Sequence, residues 1–182
     1  MRTVSTALAA FVLAGATSAA AFELSSPDVA PNQRIAERHL LNGFGCTGGN
    51  VSPALAWTDA PTGTRSFALT VYDPDAPTGS GWWHWVVFNL PATATSLPAG
   101  AGTPSKGALP PGVIQSRTDF GTPGYGGPCP PQGDAPHRYV FTLHALKVDT
   151  LPLGPDSSAA MVGFFLNANA LGKASLTATY GR

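Results

Sequence analysis

The sequence predicts a mainly β protein, and three observations carry that prediction. Of 182 residues, 21 are Gly and 18 are Pro, about one in five, and neither residue sits comfortably inside a helix. Four segments alternate their apolar side chains with the two-residue period of strands, and only one long segment has strong helical spacing. Hydrophobic residues make up 43% of the chain and charged residues 11%, against roughly 25% charged in ordinary soluble domains. That is enough apolar material for a core, and it excludes a disordered chain. Ten basic residues balance ten acidic ones, so no nucleic-acid partner is expected, and a charged ligand must be drawn by a local site.

Met1-Arg2, an apolar run through Ala7–Ala16 and the small residues Ala19-Ala20-Ala21 have the three-part pattern of a secretory signal peptide. Residues 1–21 are therefore expected to be removed, leaving 22–182 as one domain in the periplasm or secreted. Gln33–Leu41 is a weak helix candidate, ended by Asn42-Gly43. Arg65–Tyr72 sets Phe67, Leu69 and Val71 against Ala68, Thr70 and Tyr72, a strand apolar on both faces and so interior to a sheet. In Trp83–Leu90, alternation places His84, Val86, Phe88 and Leu90 on one face, with Trp85 and Val87 on the other. Arg138–Val148 puts Tyr139, Phe141, Leu143 and Ala145 opposite Val140, Thr142, His144 and Leu146. Asp156 and Ser157 are the expected cap of a helix from about Ser158 to Leu171 with Gly172 as its stop, and Ala174–Tyr180 is a last short strand. The long Pro/Gly stretches Pro91–Gly112 and Gly121–Pro136 are loops of the length that binding sites use.

Only two cysteines are present, Cys46 and Cys129, and in an exported chain an even pair predicts one disulfide. Such a bridge is worth about 4 kcal/mol through the unfolded state.

Three segments concentrate chemistry where strands meet loops. Asp73-Pro74-Asp75-Ala76-Pro77 follows the first strand. Two carboxylates at i and i+2 of an extended chain stand about 6.6 Å apart on one side, which suits acid/base work or a hard cation, or else a Pro turn organised by two Asp residues. Trp82-Trp83-His84-Trp85 surrounds one titratable ring with indoles, a surface for a ligand with a polar head and an apolar body, or simply core filler. Gly126-Gly127-Pro128-Cys129-Pro130-Pro131, then His137-Arg138-Tyr139, joins a rigid wall to three donors of the kind that recognise an anionic oxygen. Arg138 alternates with its neighbours and should face away as an ion-pair partner.

Taken in order, these segments resemble the signature segments of the phosphatidylethanolamine-binding proteins, also called the Raf kinase inhibitor-like family. Cys46-Thr-Gly-Gly-Asn-Val-Ser-Pro53 and Ser80-Gly-Trp-Trp-His resemble its bacterial branch. The resemblance implies a large central antiparallel sheet, a smaller second sheet and a few peripheral helices. It implies a small anion pocket for phosphate, phosphoethanolamine or acetate-like groups, made by Asp73, Asp75, His84, His137 and Tyr139 beside Pro130 and Pro131. It also implies cis prolines in the Asp-Pro-Asp-Ala-Pro and Gly-Pro-x-Pro-Pro segments, peripheral contact with membrane headgroups, a homodimer, and a kinase or signalling modulator, although an exported protein would not meet cytosolic kinases. In such a pocket the carboxylates are expected to hold His84 or His137 as imidazolium, so that anion affinity falls as pH rises through the histidine titration.

An enzymatic alternative uses the same Asp, His and Tyr groups as general acid and base in a hydrolase or isomerase, but no G-x-S-x-G elbow is present. Metal binding by His84, His137 and a carboxylate matches no local ligand spacing, so no metal and no cofactor are expected. His39 and His144 are expected to be structural.

Overall fold

The computed structural model describes residues 20–103 and 109–182; all but the last two residues of the expected signal peptide lie outside them. In chain order the strands are β1 (Glu23–Ser25), β2 (Asn42–Gly43), β3 (Cys46–Thr47), β4 (Leu55–Thr58), β5 (Ser66–Asp73), β6 (Trp82–Pro91), β7 (Ser96–Leu97), β8 (Ile114–Gln115), β9 (His137–Leu146) and β10 (Ala170–Tyr180). One helix, α1 (Ala159–Asn169), precedes β10, and Glu37–His39 forms a single 3-10 turn where the weak helix was expected. A five-stranded antiparallel sheet has the order β10-β9-β5-β6-β8, a three-stranded sheet the order β1-β4-β7, and β2-β3 is a separate hairpin. This is the expected architecture of a large sheet with a smaller second one.

The two faces of the large sheet are covered differently. Phe67, Leu69, Val71, Phe141 and Leu143 pack with Leu24, Leu55 and Trp57 of the small sheet, which is the sandwich side. Ala68, Val86, Phe88 and Leu146 pack with Ala159, Val162 and Leu166 of α1. Each fully buried Leu, Val or Phe contributes roughly 1.5–3 kcal/mol, so β5, β6 and β9, apolar on both sides, are the stable centre.

Three details depart from simple periodicity. Leu90 joins Trp85 and Val87 on the sandwich side instead of Val86 and Phe88. The cause is a register shift between Phe67 and Leu69, opposite Asn89, which adopts a left-handed φ of 63°; one extra residue in a strand flips the residues beyond it to the other face. Second, the helix cap is Ser158, whose hydroxyl accepts from the Met161 N–H at 3.2 Å. Third, the helix stops at Asn169 and β10 begins at Ala170, so Gly172 is a strand residue. A side chain there would come within 2.8 Å of Pro61, so this glycine permits a close approach and terminates nothing.

Candidate functional site

The site lies where β5, β6 and β9 run out at one end of the large sheet. Asp73 is the last residue of β5, and the prolines that follow it cannot extend the ladder. Its Oδ1 accepts the N–H groups of Asp75 at 2.8 Å and Ala76 at 3.1 Å, closing the turn. Its Oδ2 accepts from Nδ1 of His137, the first residue of β9, at 2.8 Å. Both side chains are buried. The other ring nitrogen of His137, Nε2, lies 3.4 Å from Asp134 Oδ2. Both oxygens of Asp73 are thus engaged, and His137 is held between two carboxylates.

Asp75 does not join this group. The chain turns at Pro74, so the extended i, i+2 geometry is lost, and Asp75 faces outward onto Arg138. Its Oδ2 accepts from the Arg138 backbone N–H at 2.8 Å and from Nε at 2.9 Å, and its Oδ1 accepts from Nη2 at 2.7 Å. The guanidinium bond holds the Asp75 carboxyl down at about 2. Arg138 is the ion-pair partner that alternation along β9 predicts.

His84 sits at a second irregularity of β6. The register shift between Val71 and Tyr72 leaves it without a partner on β5, and its ring meets the Tyr139 ring edge-on, 5.1 Å between centroids. Nδ1 is 2.7 Å from the Gly126 carbonyl oxygen, which can only accept, so Nδ1 carries the proton and Nε2 is a free acceptor. The Gly126 N–H donates back to the His84 carbonyl at 2.9 Å. Burial lowers the ring to about 4, outweighing the bond to Gly126 and the charge of Asp73. His84 is therefore neutral at neutral pH, which overturns the imidazolium expected for it. Tyr139 is buried, its hydroxyl has no partner among the described residues, and burial followed by the nearby Asp73 charge raises its phenol.

Around this floor rises an apolar rim. Asp73, His84, His137, Tyr139, Pro130 and Pro131 line one cleft of about 230 Å³, together with Phe44, Pro77, Trp82 and Phe120. Phe120 stands at the centre of the rim: it stacks on Phe44 at 5.9 Å and meets Trp82 and His84 edge-on at 5.4 Å. A side chain on Gly126 would strike Phe120 at 2.3 Å, so the glycine is required. Of the four segment residues Trp82–Trp85, only Trp82 and His84 line the cleft; Trp83 packs at a tilt against Tyr72, and Trp85 is in the core.

Three clamps fix the rim. Cys46 and Cys129 are bonded, with Cα atoms 6.0 Å apart, tying the β2–β3 hairpin to the proline wall. Arg182 adds a second tie, donating from Nε to the Pro130 carbonyl at 2.7 Å, and from Nη1 and Nη2 to the Gly45 and Phe44 carbonyls at 3.2 Å. Asn50 pins the glycines, accepting from the Gly127 N–H at 2.8 Å and donating to the Tyr125 carbonyl at 3.2 Å. Phe44, Phe120 and Arg182 escaped sequence reasoning because none stands in a segment of unusual composition; the left-handed φ of 52° at Phe44 is visible only as a backbone angle. Every described peptide bond is trans, contrary to the cis prolines that the resemblance implies; the Asp73 cap shapes the first loop without one.

Among the described residues, no group of three or more His, Cys, Asp or Glu side chains is placed to hold a metal ion. No described helix is long and apolar enough to cross a membrane. Comparison with known proteins bears on the whole assembly. YbcL of Escherichia coli K12 is 52% identical over 177 residues, covering 97% of this chain and 96% of that protein. Its crystal structure, described as that of a new member of the mammalian PEBP family, superposes with a TM-score of 0.87 at 51% identity, covering 90% of this chain and 99% of that one. YbhB of the same organism is 51% identical over 158 residues, 87% of this chain and 99% of that protein. LppC of Mycobacterium tuberculosis H37Rv, provisionally named a lipoprotein, is 37% identical over 137 residues, 75% of this chain and 63% of that protein. Residues 25–181 match the family model described as phosphatidylethanolamine-binding protein, and with that coverage the chain belongs to the phosphatidylethanolamine-binding protein family.

Proposed function

We propose that the strand-end cleft binds a small phosphate-type ligand, either free or as the headgroup of a lipid, and that the protein acts by binding, without turnover. The observation that carries this reading is the Tyr139 hydroxyl, a buried donor with no acceptor among the described residues, in the wall of an aromatic-rimmed cleft; an unmet buried donor of this kind costs about 1–3 kcal/mol and is relieved by a ligand oxygen. Beside it, neutral His84 offers Nε2 as an acceptor. The ligand must then bring both an acceptor and a donor, as a phosphomonoester monoanion does through its P–O and P–OH groups and an ethanolamine phosphodiester through its P–O and ammonium groups.

Acid/base catalysis is the weaker reading. Both His137 nitrogens face carboxylates, and a His84 ring held near 4 is a poor base at neutral pH. Export to the periplasm or beyond is part of the proposal; it is supported by the signal-like first residues, the disulfide and the lipoprotein name of the mycobacterial relative. A small anionic ligand is the partner proposed, with contact at membrane headgroups as its lipid form.

Calorimetry with inorganic phosphate, phosphoethanolamine and vesicles containing phosphatidylethanolamine tests this and separates the free from the lipid source. Tyr139→Phe should weaken binding about tenfold, the equivalent of one hydrogen bond, without lowering stability. Affinity for a phosphomonoester should fall as pH rises through the ligand's own second ionisation near 6, because the dianion has no proton for His84. Unaltered affinity in Tyr139→Phe, or no binding of any probe, would refute the reading.

A further inference from the structure

A second cleft of about 400 Å³ lies on the opposite, helix-covered face of the large sheet, between α1 and strands β5, β9 and β10. Its floor is ordered by strand register. Thr70 pairs with Thr142, and Thr142 with Ser175, so three hydroxyls stand in one row across three strands; Thr142 and Ser175 are 3.3 Å apart. In the adjacent row His144 pairs with Lys173. On the other side stands Tyr72, whose ring packs at a tilt against Trp83, 4.4 Å between centroids, and both residues line the cleft. From the aromatic row to the Lys173 row is four residues, about 13 Å along the strands.

Three observations point to a ligand. His144 is buried, yet its Nδ1 has no hydrogen-bond partner among the described residues, which is rare for a native interior group. The cleft lining contains no carboxylate, so the Lys173 ammonium, bonded only to the neutral Asn167 Oδ1 at 2.7 Å among the described residues, keeps its charge unneutralised. Gly163 lines the wall from inside α1, where glycine costs roughly 1 kcal/mol relative to alanine, and a side chain there would meet nothing within 4 Å. No packing requires this glycine, and its absence of a side chain leaves the space open.

We propose that this cleft binds an acidic disaccharide, one sugar ring lying on Trp83, its hydroxyls on the row Thr70, Thr142 and Ser175, and its carboxylate at Lys173 with His144 completing the hydrogen bonds. An aromatic platform receives the apolar face of a sugar ring, hydroxyl side chains both donate and accept as sugar hydroxyls do, and the ammonium selects an anion. A neutral His144 supplies one donor and one acceptor; burial, and then the charge of Lys173, holds its ring at about 4. The span between the aromatic row and Lys173 fits two sugar rings in line and exceeds one.

Calorimetry of the full chain with cellobiouronate, cellobiose and glucuronate tests the proposal. Cellobiouronate should bind about tenfold more tightly than either of the others, each of which lacks one contact region. Lys173→Gln, an exposed substitution that should fold, should erase the advantage of cellobiouronate over cellobiose. Gly163→Leu should abolish binding by filling the cleft, whereas Tyr139→Phe should leave it unchanged, because the strand-end cleft is a separate site. The proposal is overturned by no binding of cellobiouronate, or by binding that Lys173→Gln and Gly163→Leu both leave intact. It is equally overturned if Gly163→Leu converts a dimer to a monomer in sedimentation, since a second copy would then cover this face.

Discussion

The two clefts use opposite faces of one sheet, and each contains a buried histidine whose ring burial holds near 4. Their surroundings differ. His84 is tied to the Gly126 carbonyl, and its neighbourhood is negative, with Asp73 and Asp119 partly offsetting burial. His144 has a nitrogen with no partner among the described residues, and its charged neighbour is Lys173. The walls differ as well: the strand-end cleft is built from loops held by a disulfide, a C-terminal arginine and an asparagine clamp, while the sheet-face cleft is built almost wholly from strand and helix side chains. Loops need external ties to hold a geometry, whereas a strand face inherits its geometry from the ladder.

The disulfide gives the largest expected separation between them. Replacing Cys46 and Cys129 by Ser removes a cross-link between residues 83 apart, worth about 4 kcal/mol, or about 10 °C in Tm for a domain of this size. Phosphate affinity should fall with it, since Cys129 and Phe44 line that cleft, while cellobiouronate binding below the new Tm should be retained. Equal loss at both clefts would erase the distinction.

Acid should act on both. The unfolded histidines titrate near 6.5 and the folded His84 and His144 near 4, so between those values the unfolded chain binds more protons and stability rises with pH. The stabilisation is complete above 6.5 and is lost as pH falls towards 4, about 3 kcal/mol for each ring. Urea unfolding at a series of pH values reads this directly, and His144→Leu should flatten the slope in part, the remainder belonging to His84 and to His39, whose ring burial also lowers. A pH-independent midpoint from 7 to 4 would contradict it.

The smallest effect is the most discriminating. At neutral pH His84→Leu leaves the Gly126 carbonyl without its donor and should cost about 1–3 kcal/mol, whereas His144→Leu deletes a nitrogen that has no partner and should be neutral or mildly stabilising. Similar costs for the two variants in urea unfolding would show that the His84 bond contributes little.

Much of the strand-end cleft was legible because its polar residues lie in segments of odd composition at strand ends: Asp73, His84, His137, Tyr139, Pro130 and Pro131 all converge. Asp75 was misplaced because i, i+2 geometry assumes a straight chain, and Pro74 begins a turn. The charge of His84 was misjudged because spacing reveals neighbours in sequence but not burial, and burial decides that ring. The surroundings of His144 were not legible, because Lys173, Ser175, Thr70 and Trp83 share a cleft with it only through strand pairing and packing.

The four long strands β5, β6, β9 and β10, the sandwich and helix sides of β5 and β9, and the pairing of the two cysteines were readable from the order of residues, because period-two alternation and the burial of apolar side chains are local rules that the sheet only has to obey; the strands of two to four residues, β1–β4, β7 and β8, are too short to show a period. It took the folded chain to settle which carboxylate enters the cleft, that His84 is neutral, that Arg182 closes the rim and that a second polar cleft exists. Those outcomes depend on bulges, turns and desolvation, which arise when distant segments are brought within a few ångströms of each other.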